Sequence, residues 1–344
     1  MKPEPNTDEW RAQVIEPVIE PSRRIIDPHH HLWKRENRQY LLPELRVDTG
    51  SGHRVEKTVF VECGAHYRTT GPEHLRCLGE SAFVAEQSEK SQDDSGQVEI
   101  AGIVPFADLT LEPGLLGEVL MGHEEIAGDR LVGIRHAGAF ARYPQELMLA
   151  PPRQIKGLYQ NLSFVRGLKQ LAHRGLVYDT WHYHYQNRDF AALARRVPEA
   201  RLVLNHFGTP IGVGRYASQK RQIFEMWKED IRELSQCPNV IVKLGGLAMP
   251  DNGFGWHLRE LPATSDELVA AHKGYFLHAI DCFGVDRCMF ESNFPVDRRS
   301  VSYRVLFNAF KKMVSDFSAT EKHRLFFETA VEVYGLNDNA TLQE

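Results

Sequence analysis

Short apolar runs separated by helix-like stretches recur along the whole chain. Residues 25–26 lead into Asp27-Pro28-His29-His30-His31 as the first run, and 58–61, 100–105 and 131–134 follow. Residues 176–180, 202–204, 240–244 and 287–290 bring the number to eight. These runs are apolar or β-branched without polar alternation, as in parallel strands covered on both faces. Between them, residues 154–173 set Ile155, Leu158, Leu162, Val165, Leu168 and Leu171 on one helical stripe. Residues 190–197, 219–234 and 267–283 repeat that spacing. Thr264 with Glu267, and Ser318 with Glu321, are spaced as capping boxes at helix starts.

Strand–helix alternation of this kind predicts βα units, and eight of them favour a closed (β/α)8 TIM barrel over an open doubly wound sheet. Two stretches break the rhythm. Residues 32–56 read as a long loop over the barrel mouth with no convincing helix, and 245–262, rich in Gly and Pro, as a second loop. Long loops of this sort are usually functional. With no internal repeat or linker, one domain is expected over residues 1–344, with an N-terminal arm over 1–24 and a C-terminal helix and tail over 319–344.

Composition narrows the function classes. A 42% apolar content supports a sizeable core, and the net charge of −5 argues against nucleic acid, which calls for a basic face. No apolar run approaches the length of a membrane span, and residues 1–20 lack the apolar stretch of a signal peptide. The five cysteines are scattered without a C-x-x-C pair, so reduced thiols in the cytoplasm are expected.

In such a barrel the chemistry sits at the C-terminal strand ends. His29 and His31, two apart on a strand, project to one side and suit a borderline divalent ion such as zinc; a histidine-rich turn without a ligand is the other reading. Asn205-His206 ends the sixth strand and offers a third ligand or a general base, or else a histidine satisfied in the wall. The fifth strand ends in Trp181-His182-Tyr183-His184-Tyr185; Asp179 and Trp181 share one face, Thr180, His182 and His184 the other, and parity leaves open which face is inward. Gly133-Ile134-Arg135-His136 ends the fourth, and Arg135 there can grip a substrate carboxylate or fix an acidic loop. Glu62 and Lys243 are rim and strand charges that need partners, each other or a neighbouring strand. On the eighth strand Glu291 and Asn293 share a face; a carboxylate can activate water, whereas an amide can only orient it or donate a hydrogen bond.

The segments Asp27–Trp33, 102–108, Gly133–His136, 204–210 and 289–295, in this order, resemble amidohydrolase family 2, specifically its L-fuconolactonase-like and dicarboxylate-lactonase-like branch. The resemblance spans roughly residues 24–336 and implies a metal-dependent-hydrolase barrel. It places His29, His31 and His206 around the reacting centre as metal ligands, with zinc foremost, manganese as an alternative, and some members working without metal. Together with the strand-end readings, it makes His206, Asn293 and Glu291 the expected catalytic residues and Arg135, His136, Trp33 and His184 the expected substrate contacts, and relatives suggest a homo-oligomer. One departure stands out. The family's strand-eight Gly-Ser-Asp-Trp-Pro is Glu291-Ser292-Asn293-Phe294-Pro295 here, so the Asp position holds Asn293, and Glu291 or Asp297 becomes the candidate replacement. The leading expectation is hydrolysis of an ester-like bond, a lactone foremost, in a small carboxylated molecule. Metal-dependent decarboxylation of a small ring acid and non-catalytic metabolite binding are the alternatives.

Overall fold

The computed structural model describes residues 3–35, 38–92, 97–151 and 153–338. Eight parallel strands build the centre: β1 (Arg24–His30), β4 (Arg54–Val61), β5 (Glu99–Val104), β6 (Gly133–Arg135), β7 (Val177–Thr180), β8 (Leu202–Leu204), β9 (Val240–Leu244) and β10 (Cys288–Phe290). A three-stranded sheet, β1-β4-β5, and a five-stranded one, β10-β9-β8-β7-β6, meet at two seams. Ile103 bridges Leu131 and Phe106 bridges Arg135 at one seam; His30 bridges Phe294 at the other. His31 N–H donates to the Phe294 carbonyl at 2.8 Å and Asn293 N–H to that of His29 at 3.0 Å, so the ring of strands is closed. The fold is the expected (β/α)8 barrel.

Sequence dictates two apolar layers. Ile26, Val59, Val61, Val104, Val132, Val177, Val203, Ile241 and Met289 fill the interior, while alternate positions such as Ile25, Phe60, Ile103, Ile134, Tyr178 and Val242 pack outward against the helices. The outer ring includes α3 (Leu78–Gln92), α4 (Pro113–Ala127), α5 (Leu162–His173), α6 (Asn187–Arg196), α7 (Lys220–Ser235), α8 (Ser265–Phe283) and α9 (Tyr303–Met313). Both capping boxes form, at Thr264 for α8 and at Ser318 for the short α10 (Ala319–His323).

The structure corrects several boundaries. Residues 32–56 are not one loop. They form an antiparallel ribbon of β2 (Trp33–Arg35) and β3 (Arg38–Tyr40), then helix α2 (Leu42–Thr49). The helix read over 154–173 begins only at Leu162, because Gly157 turns left-handed and the Asn161 side chain accepts from Ser163 and Phe164 N–H as an N-cap. In the N-terminal arm, α1 (Asp8–Arg11) buries Trp10, whose indole donates to the Arg259 and Glu260 carbonyls. The C-terminal segment runs from α10 through a π-helical turn, Arg324–Glu328, into α11 (Thr329–Tyr334), and the end of the expected tail, 339–344, lies outside the described residues. Phe327, Ala330, Val333, Tyr334 and Leu336 join the interior layer and close the N-terminal end of the barrel. The five cysteines are unpaired. Among the described residues no helix is long and apolar enough to cross a membrane.

Candidate active site

Strand β1 carries its histidines to the mouth through an irregularity. Pairing with β4 advances two residues on one strand and three on the other between Asp27 and His30, a bulge that contains Pro28. Proline lacks the N–H a regular ladder needs, so a bulge is where a strand tolerates it. The bulge separates three neighbouring imidazoles. His30 turns into the wall, 3.0 Å from Thr58 Oγ1 and edge-on to Phe60. His29 and His31 turn to the mouth with ring centres 4.9 Å apart. His31 Nδ1–H donates to the Val61 carbonyl at 2.8 Å, which leaves the lone pair on Nε2. Trp33 stacks on the outer side of His31.

A second distortion delivers His206. After β8, His206, Phe207, Gly208 and Thr209 all take positive φ, between 39° and 68°. For the three non-glycine residues this costs on the order of 1–2 kcal/mol each. The turn is held by Trp227 Nε1–H on the Phe207 carbonyl at 2.8 Å. It brings His206 Nδ1 to 2.6 Å from Glu291 Oε1, and the His206 backbone N–H to the same oxygen at 3.2 Å. The other oxygen, Oε2, lies 2.7 Å from His29 Nδ1 but completes no aligned hydrogen bond. Room for this approach comes from Gly245 and Gly246 at the end of β9. A Cβ on Gly246 would stand 2.6 Å from the His206 ring, and one on Gly245 2.3 Å from the Glu291 carbonyl oxygen. Donor atoms of His29, His206 and Glu291 all fall within 4.8 Å of one another, and all three residues are buried.

Two cations flank this cluster, each with its own carboxylate. Arg135 Nε donates to Glu62 Oε1 at 2.8 Å and Nη2 to the Glu62 carbonyl, leaving Nη1 3.5 Å from His29 Nε2. Lys243 Nζ donates to Asp179 Oδ1 at 2.7 Å and lies 3.5 Å from His29 Nδ1. Glu62 and Lys243, which the sequence left as possible partners, thus take Arg135 and Asp179 instead. Burial pushes His29 well below the ordinary imidazole value, helped by the Lys243 ammonium, and burial does the same to His31 with Arg135 adding to it. Both rings are neutral near pH 7 and able to donate lone pairs. Glu62 is matched by Arg135 and Asp179 by Lys243, whereas Glu291 faces two imidazoles. A buried carboxylate oxygen without an aligned partner, beside nitrogen donors, is a set that fits a borderline divalent ion.

Several expected site residues lie elsewhere or play other parts. His31 adjoins the cluster, but Glu291 replaces it as the third member beside His29 and His206. Asn293 is buried with its side-chain amide donating to Asp297 Oδ1 at 3.2 Å, so that side chain is tied to the carboxyl and not to the imidazole rings. Burial holds Asp297 well above the usual carboxylate range, and its Oδ2 accepts from Ala248 N–H. His136 follows the inward Arg135 and therefore points outward, between Phe106 and Phe164, its Nδ1 accepting from Leu109 N–H. It is a core histidine. Of the fifth-strand pair, His182 is bound on both nitrogens by Tyr159 and Asn187 within the wall. His184 accepts from Ile211 N–H and packs edge-on against Tyr185 and Tyr216, in the small apolar cluster of the mouth loops. Neither Asp179 nor Tyr334 was assigned a role in the site from sequence; Asp179 meets Lys243 across the barrel interior from β7 and β9, with β8 between them, and Tyr334 had no local signal.

The model of the amidohydrolase family matches residues 26–336. The chain belongs to that family. Among curated proteins, this amidohydrolase is 31% identical over 332 residues to an uncharacterized protein, y4mH, of Sinorhizobium fredii, covering 90% of the chain and 98% of the relative. It is 27% identical over 325 residues to L-fucono-1,5-lactonase of Burkholderia multivorans, covering 92% and 97%. Among solved structures, a zinc-bound amidohydrolase from Burkholderia multivorans superposes with a TM-score of 0.69 at 24% identity, covering 91% of this chain and 99% of that one. That likeness carries the fold; the family and its lactonase relative make this chain a hydrolytic enzyme.

Proposed function

We propose that this amidohydrolase opens the lactone ring of a small carboxylated molecule at the cluster of His29, His206 and Glu291. The observation that carries the reading is Glu291, which accepts from His206 Nδ1 at 2.6 Å and reaches His29 at 2.7 Å. With its Nδ1 proton donated to Glu291, His206 keeps its basic lone pair on Nε2, where it can take a proton from the attacking water and return it to the leaving oxygen. Glu291 stabilises the imidazolium that forms. His29 and Glu291 Oε2 would hold a divalent ion, zinc foremost and manganese next, with His31 Nε2 as the adjacent donor, while His206 stays off the ion as the base. When bound, that ion supplies Lewis acidity toward the carbonyl and a more acidic water.

Arg135 binds and orients the substrate. Glu62 accepts from Nε and Nη2 of the guanidinium, so Nη1 remains directed at the cluster as a point of attachment for an anion. Trp33, stacked on His31, offers an apolar face to a ring. The lactonase relative supports this substrate class, and the depth of the cluster inside the barrel mouth supports a small one. A panel of sugar and dicarboxylate lactones, with simple esters beside them, tests the proposal by titrating released acid. Ring opening of at least one acidic lactone, faster than of its neutral counterpart, is expected. Release of CO2 from ring acids with no lactone opened would replace this reading with decarboxylation.

A further inference from the structure

The barrel interior is apolar except for one layer directly under the cluster, and that layer is tied to the end of the chain. Asp179 of β7 is fully buried and accepts three hydrogen bonds. Lys243 Nζ and Asn205 Nδ2 donate to Oδ1, each at 2.7 Å, and Tyr334 Oη–H donates to Oδ2 at 2.8 Å. Tyr334 comes from α11, 155 residues further along the chain, and its ring also lies 5.2 Å from the Lys243 ammonium. The helix is fastened there. Arg201 Nη1 donates to the carbonyls of Glu332 and Val333 at 2.9 Å each, and Thr329 Oγ1 to that of Val285 at 3.1 Å. Gly335 ends it in the left-handed conformation, with Leu336 N–H returning to the Val331 carbonyl.

A hydrophobic plug needs no hydroxyl, and a buried lysine 3.5 Å from His29 is costly for any cation held at that ring. We infer that α11 is part of the reaction centre: Tyr334 holds Asp179 against Lys243, and this neutralised pair lets His29 accept a divalent ion beside an ammonium group. Tyr334 and Asp179 are positioning residues, acting through Lys243 on His29. The inference deepens the metal-binding part of the function proposed above and rests on it.

The test is zinc affinity by competition with a chelator, using full-length protein, with melting curves for each variant. Asp179→Asn keeps the shape and leaves Lys243 uncompensated, so zinc should bind about tenfold more weakly or worse. Tyr334→Phe keeps the ring and the buried apolar area and should weaken zinc by about threefold with little change in Tm, an effect that a purely structural plug would not produce. Asp179→Asn combined with Lys243→Met removes both charges and should restore affinity to near the wild-type value. Equal zinc affinity in wild type, Asp179→Asn and Tyr334→Phe would overturn this inference while leaving the metal reading intact. Failure of the double variant to recover affinity, with the single variants folded, would likewise contradict charge compensation. No zinc on the wild-type protein would remove the metal reading and this inference with it.

Discussion

Glu291 receives both the ring and the backbone N–H of His206 on one oxygen and lies against His29 with the other. Glu291→Gln keeps the volume and removes the charge, and should lower kcat about a hundredfold or more by the loss of the carboxylate that orients and supports the base. Steady-state rates on the best lactone of the panel check this. Arg135→Met should raise KM about tenfold or more for anionic lactones, since it deletes a charge-assisted contact, and leave neutral ones nearly unchanged. An equal loss on neutral substrates would contradict that role. At this scale the sequence was partly legible. Period-two spacing brought His29 and His31 to one side, but the bulge at Pro28 that produces this arrangement was not visible. The exchange of Asp for Asn293 was apparent, and so was Glu291 as a replacement; only side-chain geometry separates Glu291, on the histidines, from Asp297, bound to Asn293. Parity put His182 and His184 on one face and could not say whether it points inward, because both lie beyond the last ladder residue, Thr180.

Elements place these side chains by spending local strain where glycine permits close approach. Gly246 has a φ of 74° and its missing Cβ is where the His206 ring sits. Gly246→Ala should therefore push His206 away from Glu291 and cost about 1–3 kcal/mol of stability, with a larger loss of activity than of fold. A urea titration beside the kinetic assay separates the two. Continuous apolar runs made the strands easy to find, and both capping boxes marked true helix starts. The stretch 154–161 misled, since Ile155 and Leu158 fit a helical stripe that Gly157 and the Asn161 cap interrupt. Residues 32–56 hid a ribbon and a helix because their elements are three to eight residues long, too short for periodicity to register.

Across the whole molecule, burial sets the response to acid. Besides His29 and His31, seven histidines, among them His30 and His272 at about 3 and His123 and His182 at about 4, are held below the ordinary value first of all by burial. Their unfolded counterparts take up protons near pH 6.5 while the folded rings do not, so the stability they contribute is complete above pH 6.5 and drains away as pH falls toward 4. Asp27 and Glu80, raised to about 6 and about 8 by burial, and Asp297, raised well above its usual range, work in the opposite sense and offset part of that loss. A net fall in Tm between pH 6.5 and 4, with a smaller decline from 7 to 8 as Glu80 loses its proton, is expected from scanning calorimetry. Alternation of strands and helices foretold the barrel, whereas the closing seam of β1 on β10 and the plugging of its floor by α11 depend on contacts between chain ends that no local pattern encodes. A hydrolytic centre in which Glu291 unites His29 and His206 beside a divalent ion must carry that ion in the purified protein. Elemental analysis of purified wild-type protein beside Glu291→Gln should find close to one equivalent of zinc or manganese per chain in the first and little in the second. A wild-type protein that opens lactones at full rate without bound metal would contradict it.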